Sequence, residues 1–303
     1  MKFNTDQDST ASTGQIIQND ANNVPPSQPE RGQVVSPAGE NVTVTISDQQ
    51  SPIVVLFGPP SCGKTMTLIR LSRFLHQNGW GVMPVRTFRP SYDNRYAQLC
   101  NEWNNMVSND MAASGTSTID FMLLQVQDKR SATVCQILEA PGEHFFNPQH
   151  PDQSVRPYIS KMQASANRKI WVIFIDMVLN TDATRHAAYV ERIRDFSRHI
   201  SLKRDRVIIL CNKVDQSNRL TAGNIVNTKE LMRDVNDHYP GLFEIYRNPS
   251  PLAGLFGHKY LFEFVPFQTG AYDKDYEDIT TYTESDARYP STLWKAIQKS
   301  IRG

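Results

Sequence analysis

The 303-residue sequence predicts an α/β protein built on a doubly wound, mainly parallel sheet with one antiparallel hairpin strand. From residue 51 onwards, apolar runs of strand length alternate with segments of helical periodicity, as in strands joined by crossover helices. The run Ile53–Phe57 is continuously apolar, which is typical of a parallel strand covered on both faces. The runs Phe121–Val126 and Ala132–Leu138 are joined by the polar turn Gln127–Ser131, which predicts the antiparallel hairpin.

The first half of this alternation contains two predicted helical regions. A Gly/Pro turn follows Ile53–Phe57 and leads into Met66–Leu75, whose apolar residues recur at helical spacing. Gly81–Arg86 is predicted to be a short strand, and Ser91–Met111 is polar with helical patches. The elements predicted after the hairpin are the strand Lys169–Met177, the helix Asp182–Ile200, the strand Arg206–Cys211, the helix Thr228–His238, the strand Tyr260–Val265 and the helix Ser291–Ile301.

A polar segment precedes the alternating pattern. Residues 1–50 are rich in Asn, Gln, Ser, Thr, Asp and Pro and contain two basic and six acidic residues, which predicts a disordered acidic tail. Within it, Asn41–Ile46 alternates valine or isoleucine with threonine, which predicts an edge strand or a short docking segment. Residues 51–303 are predicted to form a single domain. Two segments exceed what that domain needs, at about 86–115 and at 241–259, the latter a partner-docking loop or a lid on the core.

Charge and cysteine content exclude several functional classes. A formal charge of +1 gives no reason to expect binding to nucleic acid or to an acidic membrane. The longest apolar stretch, Ile170–Leu179, is too short to span a bilayer and contains Asp176. The four cysteines form no C-x-x-C pair, which predicts reduced thiols rather than disulfides or a zinc site. Because the first thirty residues lack the apolar core of a secretory signal, we expect a cytoplasmic protein.

The strongest chemical signal is a glycine-rich loop between the first strand and the first helix. Backbone N–H groups of such a loop, together with the helix N-terminus, form a concave site for phosphate oxygens. Lys64 is predicted to reach the β- and γ-phosphates, and the Thr65 hydroxyl to ligate Mg²⁺. The residues of this G-x-x-x-x-G-K-T pattern are Gly58, Pro59, Pro60, Ser61, Cys62, Gly63, Lys64 and Thr65, followed by Met66.

A second motif, Asn212-Lys213-Val214-Asp215, points to the base. It follows the strand Arg206–Cys211 and therefore lies at the carboxyl edge of the sheet, where ligands of open α/β folds bind. The Asp215 carboxylate can accept both hydrogen bonds from guanine N1–H and its 2-amino group, a pair that adenine does not offer. Asn212, Lys213 and Asp215 are therefore predicted to bind GTP and GDP.

With both motifs in place, the sequence resembles the P-loop GTPases of the Ras-like and translation-factor (TRAFAC) class from about Ile53 to Ile301. Those proteins carry a D-x-x-G motif after their third strand, and the matching residues here are Glu139-Ala-Pro-Gly142. The resemblance implies that Gly142 offers its N–H to the γ-phosphate and that Glu139 holds Mg²⁺ through a water. Glutamate in place of aspartate keeps the charge but adds a methylene, so the metal geometry departs from the family pattern.

The resemblance also suggests candidate catalytic residues. Glu143 occupies the place of the water-positioning glutamine of Ras-like proteins. A carboxylate there accepts a proton from the attacking water but stands close to an anionic γ-phosphate, which predicts slow intrinsic hydrolysis. His144 lies one position beyond the histidine of translation GTPases, so a catalytic role and an ordinary loop histidine both remain open. By similarity to heterotrimeric G-protein α subunits, an arginine finger is sought among Arg86, Arg89 and Arg95, with surface ion pairs as the alternative.

The resemblance implies two further sites, a switch threonine and a base-contacting loop, and a third candidate follows from its place at the end of a strand. The switch threonine, a Mg²⁺ ligand, is expected before the hairpin, where Thr118 fits and Thr116 competes with it. The loop after Tyr260–Val265 is expected to touch the base through Phe267 and Gln268, although it lacks the usual Ser-Ala pair. Asp176, at the end of a buried strand, is the alternative metal carboxylate.

The resemblance implies a nucleotide-dependent conformational switch that hydrolyses GTP slowly and meets a protein effector or activator at its switch loops and insertions. The insertions and the Ala-Pro-Gly-Glu sequence are also similar to bacterial GTPases of conflict or secretion systems, including double-GTPase families. Two other functions stay open. One is a guanine-nucleotide-binding scaffold without turnover, suggested by the two glutamates. The other is an ATP-using P-loop enzyme in which Asn212–Asp215 is a coincidence.

Overall fold

The computed structural model describes residues 42–108, 121–176, 183–217, 219–220, 226–250, 259–274 and 280–303. Within these ranges the predicted fold class is confirmed, because a mostly parallel sheet with one antiparallel strand is flanked by helices. The strands of the sheet are β1 (Ile53–Phe57), β2 (Gly81–Pro84), β3 (Met122–Gln127), β4 (Thr133–Glu139), β5 (Lys169–Asp176), β6 (Arg206–Asn212) and β7 (Phe262–Pro266).

The strand order is β2-β3-β4-β1-β5-β6-β7. Strand β3 runs antiparallel to both of its neighbours, and every other adjacent pair is parallel. Because β1 lies between β4 and β5, the sheet extends outwards from β1 in both directions. The carboxyl ends of these parallel strands share one edge, which is where open α/β sheets bind ligands.

The helices cover this sheet. They are α1 (Lys64–Gln77), α2 (Asn94–Ser108), α3 (Pro157–Ala164), α4 (Ala183–Ser197), α5 (Thr228–His238) and α6 (Arg288–Arg302). In α1, Leu68, Leu71 and Leu75 recur at helical spacing and are buried, which accounts for the amphipathic pattern seen in the sequence. At α5, the Asn227 side chain accepts a hydrogen bond from the Glu230 N–H and caps the first turn.

The central strands form the core because both of their faces are apolar. Every residue of β1 is buried, and Phe57 packs on the rings of Phe145, Tyr189 and Phe196 at centroid distances of 5.1, 6.1 and 4.9 Å. Each such side chain contributes roughly 1.5–3 kcal/mol on burial. Strand β1 is therefore a rigid support for the loop that follows it.

The end of the segment assigned above to the tail packs on the domain. Val44 and Ile46 are buried, and the Thr45 N–H donates to the Phe88 carbonyl at 2.8 Å. Residues 42–48 form neither a helix nor a strand, so the predicted edge strand is absent and the docking-segment alternative fits better. The tail prediction for residues 1–41 lies outside the described residues.

Three elements differ from expectation or add to it. Helix α2 fills half of the 86–115 segment and is joined to α1 by Arg73, which donates to the Met106 carbonyl at 2.9 Å. Helix α3 was not predicted, and neither was a hairpin of β8 (Gly270–Lys274) and β9 (Thr280–Glu284). Both are short, so periodicity gives a weak signal for them.

The first part of the 241–259 segment packs on the domain. Its residues Phe243 and Tyr246 are buried, and Phe243 lies 5.0 Å from the Phe262 ring. Residues 251–258 lie outside the described part of the chain. Among the described helices, none is both long and apolar enough to cross a membrane.

Candidate functional site

The sheet brings the predicted motifs to one edge. The glycine-rich loop follows β1, Glu139 ends β4, Asp176 ends β5, and Asn212 ends β6. Asp176 and Asn212 are paired in register. Two side chains of the second motif then bond directly to the first: Asn212 Nδ2 donates to the Cys62 carbonyl at 2.8 Å, and Lys213 Nζ donates to the Ser61 carbonyl at 3.1 Å.

The loop itself has a backbone that few sequences adopt. Gly63 has φ +91°, and a Cβ there would lie 2.3 Å from Asn212 Nδ2, so only glycine fits. Ser61 is also left-handed, with φ +62°. Because Pro59 and Pro60 have no N–H, the donors that this loop can offer to phosphate are those of residues 61–66.

Lys64 is placed over the loop. Its side chain is only 6% exposed, and Nζ donates to the carbonyls of Gly58 and Pro59 at 3.1 and 3.0 Å. No carboxylate forms an ion pair with Lys64 among the described residues. An ammonium held by two neutral carbonyls can exchange them for anionic phosphate oxygens, which bind it more strongly.

Thr65 and Glu139 meet at the start of α1. The Thr65 hydroxyl donates to Glu139 Oε1 at 2.7 Å, and Glu139 is 2% exposed. Burial raises the pKa of Glu139 to about 7, against the opposing effects of the nearby Lys64 charge and the Thr65 hydrogen bond. Because glutamate has one methylene more than aspartate, the Glu139 carboxylate reaches the Thr65 hydroxyl directly.

The donor set fits a magnesium ion. Glu139 Oε2 is buried without a hydrogen-bond partner, and it sits next to an oxygen already in contact with Thr65. In the part of the chain that the structure describes, no group of three or more His, Cys, Asp or Glu side chains could hold a metal alone. Two protein oxygens supplemented by substrate phosphates and waters are the usual environment of Mg²⁺ at nucleotide sites.

Gly142 contacts the glycine-rich loop directly. It begins the 3₁₀ turn Gly142–His144, and a Cβ added to it would lie 2.2 Å from Pro60 N and 2.3 Å from the Pro59 carbonyl carbon. Both atoms are backbone, so neither can turn away as a flexible side chain would. The structure thus places Gly142 against the loop that carries Lys64.

We expect Gly142→Ala to lower the free energy of unfolding by about 2 kcal/mol, because the new methyl overpacks the loop. Gly81→Ala is the matched control, since its Cβ would meet Gln127 at an ordinary 3.5 Å. Urea denaturation of both variants measures the difference. Equal stability of the two variants would contradict the close packing of Gly142.

Two neighbours of Gly142 have different environments. The Glu143 side chain is exposed. His144 Nδ1 lies 2.8 Å from the Tyr158 hydroxyl of α3, and its ring lies 5.7 Å from the Tyr158 ring. Tyr158 in turn stacks on Phe121 at 3.9 Å. The sequence did not suggest this packing of the His144 ring against Tyr158 of α3.

Asp176 is placed on the Lys213 side of the site. Its Oδ2 forms an ion pair with Lys213 Nζ at 2.6 Å, and its carbonyl accepts from the Tyr239 hydroxyl at 3.1 Å. Thr65 bonds to Glu139 instead. The geometry therefore favours Glu139 over Asp176 as the carboxylate next to Thr65.

The remaining predicted base contacts lie around β6 and β7. The Asp215 side chain is exposed on a 3₁₀ turn that begins at Val214. The Phe267 N–H donates to the Cys211 carbonyl at 2.8 Å, and the Val214 N–H donates to the Phe267 carbonyl at 3.2 Å. The Phe267 ring is fully buried and both backbone polar groups of Phe267 are hydrogen-bonded within the protein, whereas Gln268 Oε1 is buried without a partner.

The candidate arginines of the 86–115 segment have separate environments. Arg89 is buried, forms an ion pair with Asp93 at 2.6 Å, and lies 4.5 Å from the centre of the Phe121 ring. Those contacts give it a structural role. Arg86 is exposed and donates to Asn101 at 2.8 Å, and Arg95 is exposed on α2. The threonine predictions, Thr118 and Thr116, lie outside the described residues.

Comparisons with known proteins give structural likeness alone. No family model and no curated protein matches this sequence. A solved structure described as nucleolar GTP-binding protein 1 from Plasmodium falciparum is 13% identical, with 86% of this chain and 92% of that chain covered and a TM-score of 0.40. The SRb-GTP/SRX complex of the signal recognition particle receptor from Chaetomium thermophilum is 14% identical, with coverages of 82% and 100% and a TM-score of 0.42.

A third solved structure, a mutation variant of SsGBP, is 12% identical, with 83% of this chain and 55% of that chain covered and a TM-score of 0.35. At such identities and TM-scores, the function has to be inferred from the residues of the chain itself.

Proposed function

We propose that this protein is a P-loop GTPase that binds GTP and GDP with Mg²⁺ and hydrolyses GTP to GDP and phosphate. One observation supports this most strongly. Asn212 and Lys213 of the N-K-x-D motif bond to the carbonyls of Cys62 and Ser61 in the glycine-rich loop. A guanine-reading motif attached to a phosphate-binding loop is not expected of two chance matches.

Base selection is assigned to Asp215. Its side chain is exposed near the Lys213 charge, on the same edge of the sheet as the phosphate loop, and partial burial raises the pKa of its carboxyl. It accepts hydrogen bonds from guanine N1–H and the 2-amino group, and adenine offers no such pair. The backbone of Phe267 and the side chain of Gln268 border the base from β7.

Phosphate binding is assigned to the loop and α1. The N–H groups of residues 61–66 and the N-terminal end of α1 surround the phosphates, and Lys64 exchanges its two carbonyl contacts for β- and γ-oxygens. Thr65 and Glu139 would hold the Mg²⁺ ion, and Thr118 would join them in the triphosphate-bound form. When bound, that ion neutralises charge that develops on the phosphate oxygens.

The catalytic assignment explains why we expect slow turnover. Gly142 offers its N–H to the γ-phosphate, and Glu143 orients the attacking water and accepts its proton. A carboxylate beside the γ-phosphate is unfavourable without a neutralising group, and Arg89 is already paired with Asp93. A protein partner that supplies positive charge at the switch loops would therefore accelerate hydrolysis, and the γ-phosphate would act as a conformational signal.

Nucleotide titration tests the proposal. Fluorescent mant-GDP and mant-ADP are titrated into the full chain with Mg²⁺, and phosphate release is then timed with GTP. We expect preference for the guanine nucleotide and release that takes many minutes per turnover. Preference for mant-ADP would overturn the guanine assignment, and retention of intact GTP over many hours would favour the scaffold without turnover.

Asp215→Asn tests the base assignment directly. The amide turns one acceptor into a donor, which suits the C2 carbonyl of xanthine and opposes the 2-amino group of guanine. We expect GTP affinity to fall about tenfold, one charged hydrogen bond being lost at an exposed site, and XTP affinity to rise. Asp237→Asn, exposed on α5, is the control. Unchanged nucleotide selectivity would remove Asp215 from the site.

A further inference from the structure

The β8–β9 hairpin lies between α6 and the segment 266–269, here called the base loop, and the function proposed above does not use it. Two groups of the hairpin bond to the end of the base loop. The Tyr282 hydroxyl donates to the Thr269 carbonyl at 2.7 Å, and the Ser285 N–H donates to the same carbonyl at 3.1 Å. Two donors on one carbonyl fix the position of the end of this loop.

The hairpin is also attached to α1. Glu284, the last residue of β9, forms ion pairs with Arg70 at 3.0 Å and with Arg73 at 3.3 Å. Arg70 donates as well to the Ser285 carbonyl at 2.7 Å. The two arginine side chains are 3% and 5% exposed and Glu284 is 28% exposed, so this cluster is much better shielded than an ordinary surface pair.

These contacts join the two halves of the candidate nucleotide site. Helix α1 begins at Lys64, which is assigned to the phosphates, and the same helix carries the arginines that hold Glu284. The opposite side of the base loop is fixed by the hydrogen bonds of Phe267 to Cys211 and Val214. The base loop is therefore held from two directions, by β6 and by the hairpin.

We infer that Glu284 is a positioning residue that, through the hairpin, keeps the base loop closed on the guanine nucleotide and so sets the rate of nucleotide release. The inference rests on the proposed function. Loss of the Glu284 charge frees the hairpin from α1, and loss of the Tyr282 hydroxyl frees the Thr269 carbonyl from one of its donors. Both changes loosen the same side of the base loop, which is the side held by the hairpin.

The test is the dissociation rate of mant-GDP from the full chain, measured after adding excess unlabelled GDP. Glu284→Gln keeps the size of the side chain and removes its charge, and we expect release to become about tenfold faster. Tyr282→Phe removes the hydroxyl alone, and we expect an increase of about threefold, as for one neutral hydrogen bond. The second variant keeps the test decisive if the first folds poorly.

Glu263→Gln is the matched control, because Glu263 pairs with Lys299 of α6 and makes no contact of this kind with the base loop. We expect its release rate to equal that of the wild type. Single-turnover phosphate release from preloaded GTP should also equal that of the wild type in this control. A merely structural role would lower the unfolding temperature without changing the release rate.

Two outcomes separate this inference from the proposed function. If the wild type binds mant-GDP and both Glu284→Gln and Tyr282→Phe release it at the wild-type rate, the inference is wrong and the proposed function stands. If the wild type does not bind mant-GDP at all, the proposed function fails and the inference fails with it.

Discussion

Lys64→Ala is expected to reduce GTP affinity about a hundredfold to a thousandfold, because it removes the charge that we propose faces the β- and γ-phosphates. The same variant should remain about as stable as the wild type. Lys64 is buried against two neutral carbonyls, so its removal deletes a desolvated charge together with two hydrogen bonds. A large loss of affinity with little loss of stability would mark Lys64 as a ligand-binding residue.

Isothermal titration of GTP and urea denaturation without nucleotide measure the two effects separately. Lys203→Ala is the control, because Lys203 is exposed just before β6, at the end of the sheet opposite to the glycine-rich loop. An affinity within a few-fold of the wild type in Lys64→Ala would show that the loop does not bind the triphosphate.

The second large effect is a pH dependence of stability caused by Glu139. Its pKa rises from 4.5 to about 7 in the folded protein, mainly through burial. Between these two values the native state keeps a proton that the unfolded state has released, so stability falls as pH rises through this window. At 1.36 kcal/mol per pKa unit, the loss from pH 4.5 to pH 8 amounts to about 3 kcal/mol for the nucleotide-free protein.

Denaturant unfolding at several pH values, with EDTA and without nucleotide, measures that slope. Glu139→Gln resembles the protonated side chain and should flatten the slope, making the variant more stable than the wild type at pH 8. Glu102→Gln, at an exposed position of α2, should leave the slope unchanged. A wild-type stability that rises between pH 5 and pH 8, with no difference in Glu139→Gln, would contradict the raised pKa of the buried Glu139 carboxyl.

The local sequence pattern was sufficient to predict the central strands of the sheet and two of the helices. Continuous apolar runs predicted β1, β5 and β6, and helical spacing predicted α1 and α5, with α5 matching at both ends. These elements are long or have a strong hydrophobic pattern. A continuously apolar run of strand length fits few structures other than a strand that is buried on both faces. The glycine-rich loop and the Asn212–Asp215 motif were placed at one edge from sequence alone, since each follows a parallel strand.

Short elements and the N-terminal end of the domain were harder to predict from the sequence. Helix α3 and the β8–β9 hairpin carry too few residues for a periodic signal, although Thr280–Thr283 is rich in residues that favour strands. Residues 42–50 have the polar composition of a tail, yet Val44 and Ile46 find a place in the core. The tail prediction used the average composition of the whole segment, whereas the packing of residues 42–50 on the domain depends on the burial of only two side chains.

The sequence by itself determined which residues are the candidates for nucleotide binding, because the strand, loop and helix of the phosphate-binding pattern are consecutive in the chain. Only the tertiary structure decided the partners: Thr65 with Glu139, Lys213 with Asp176, Gly142 with Pro59 and Pro60, and Glu284 with two arginines of α1. Each of these contacts joins residues far apart in sequence. Their distances follow from strand order and from the packing of helices on the sheet, which no local pattern encodes.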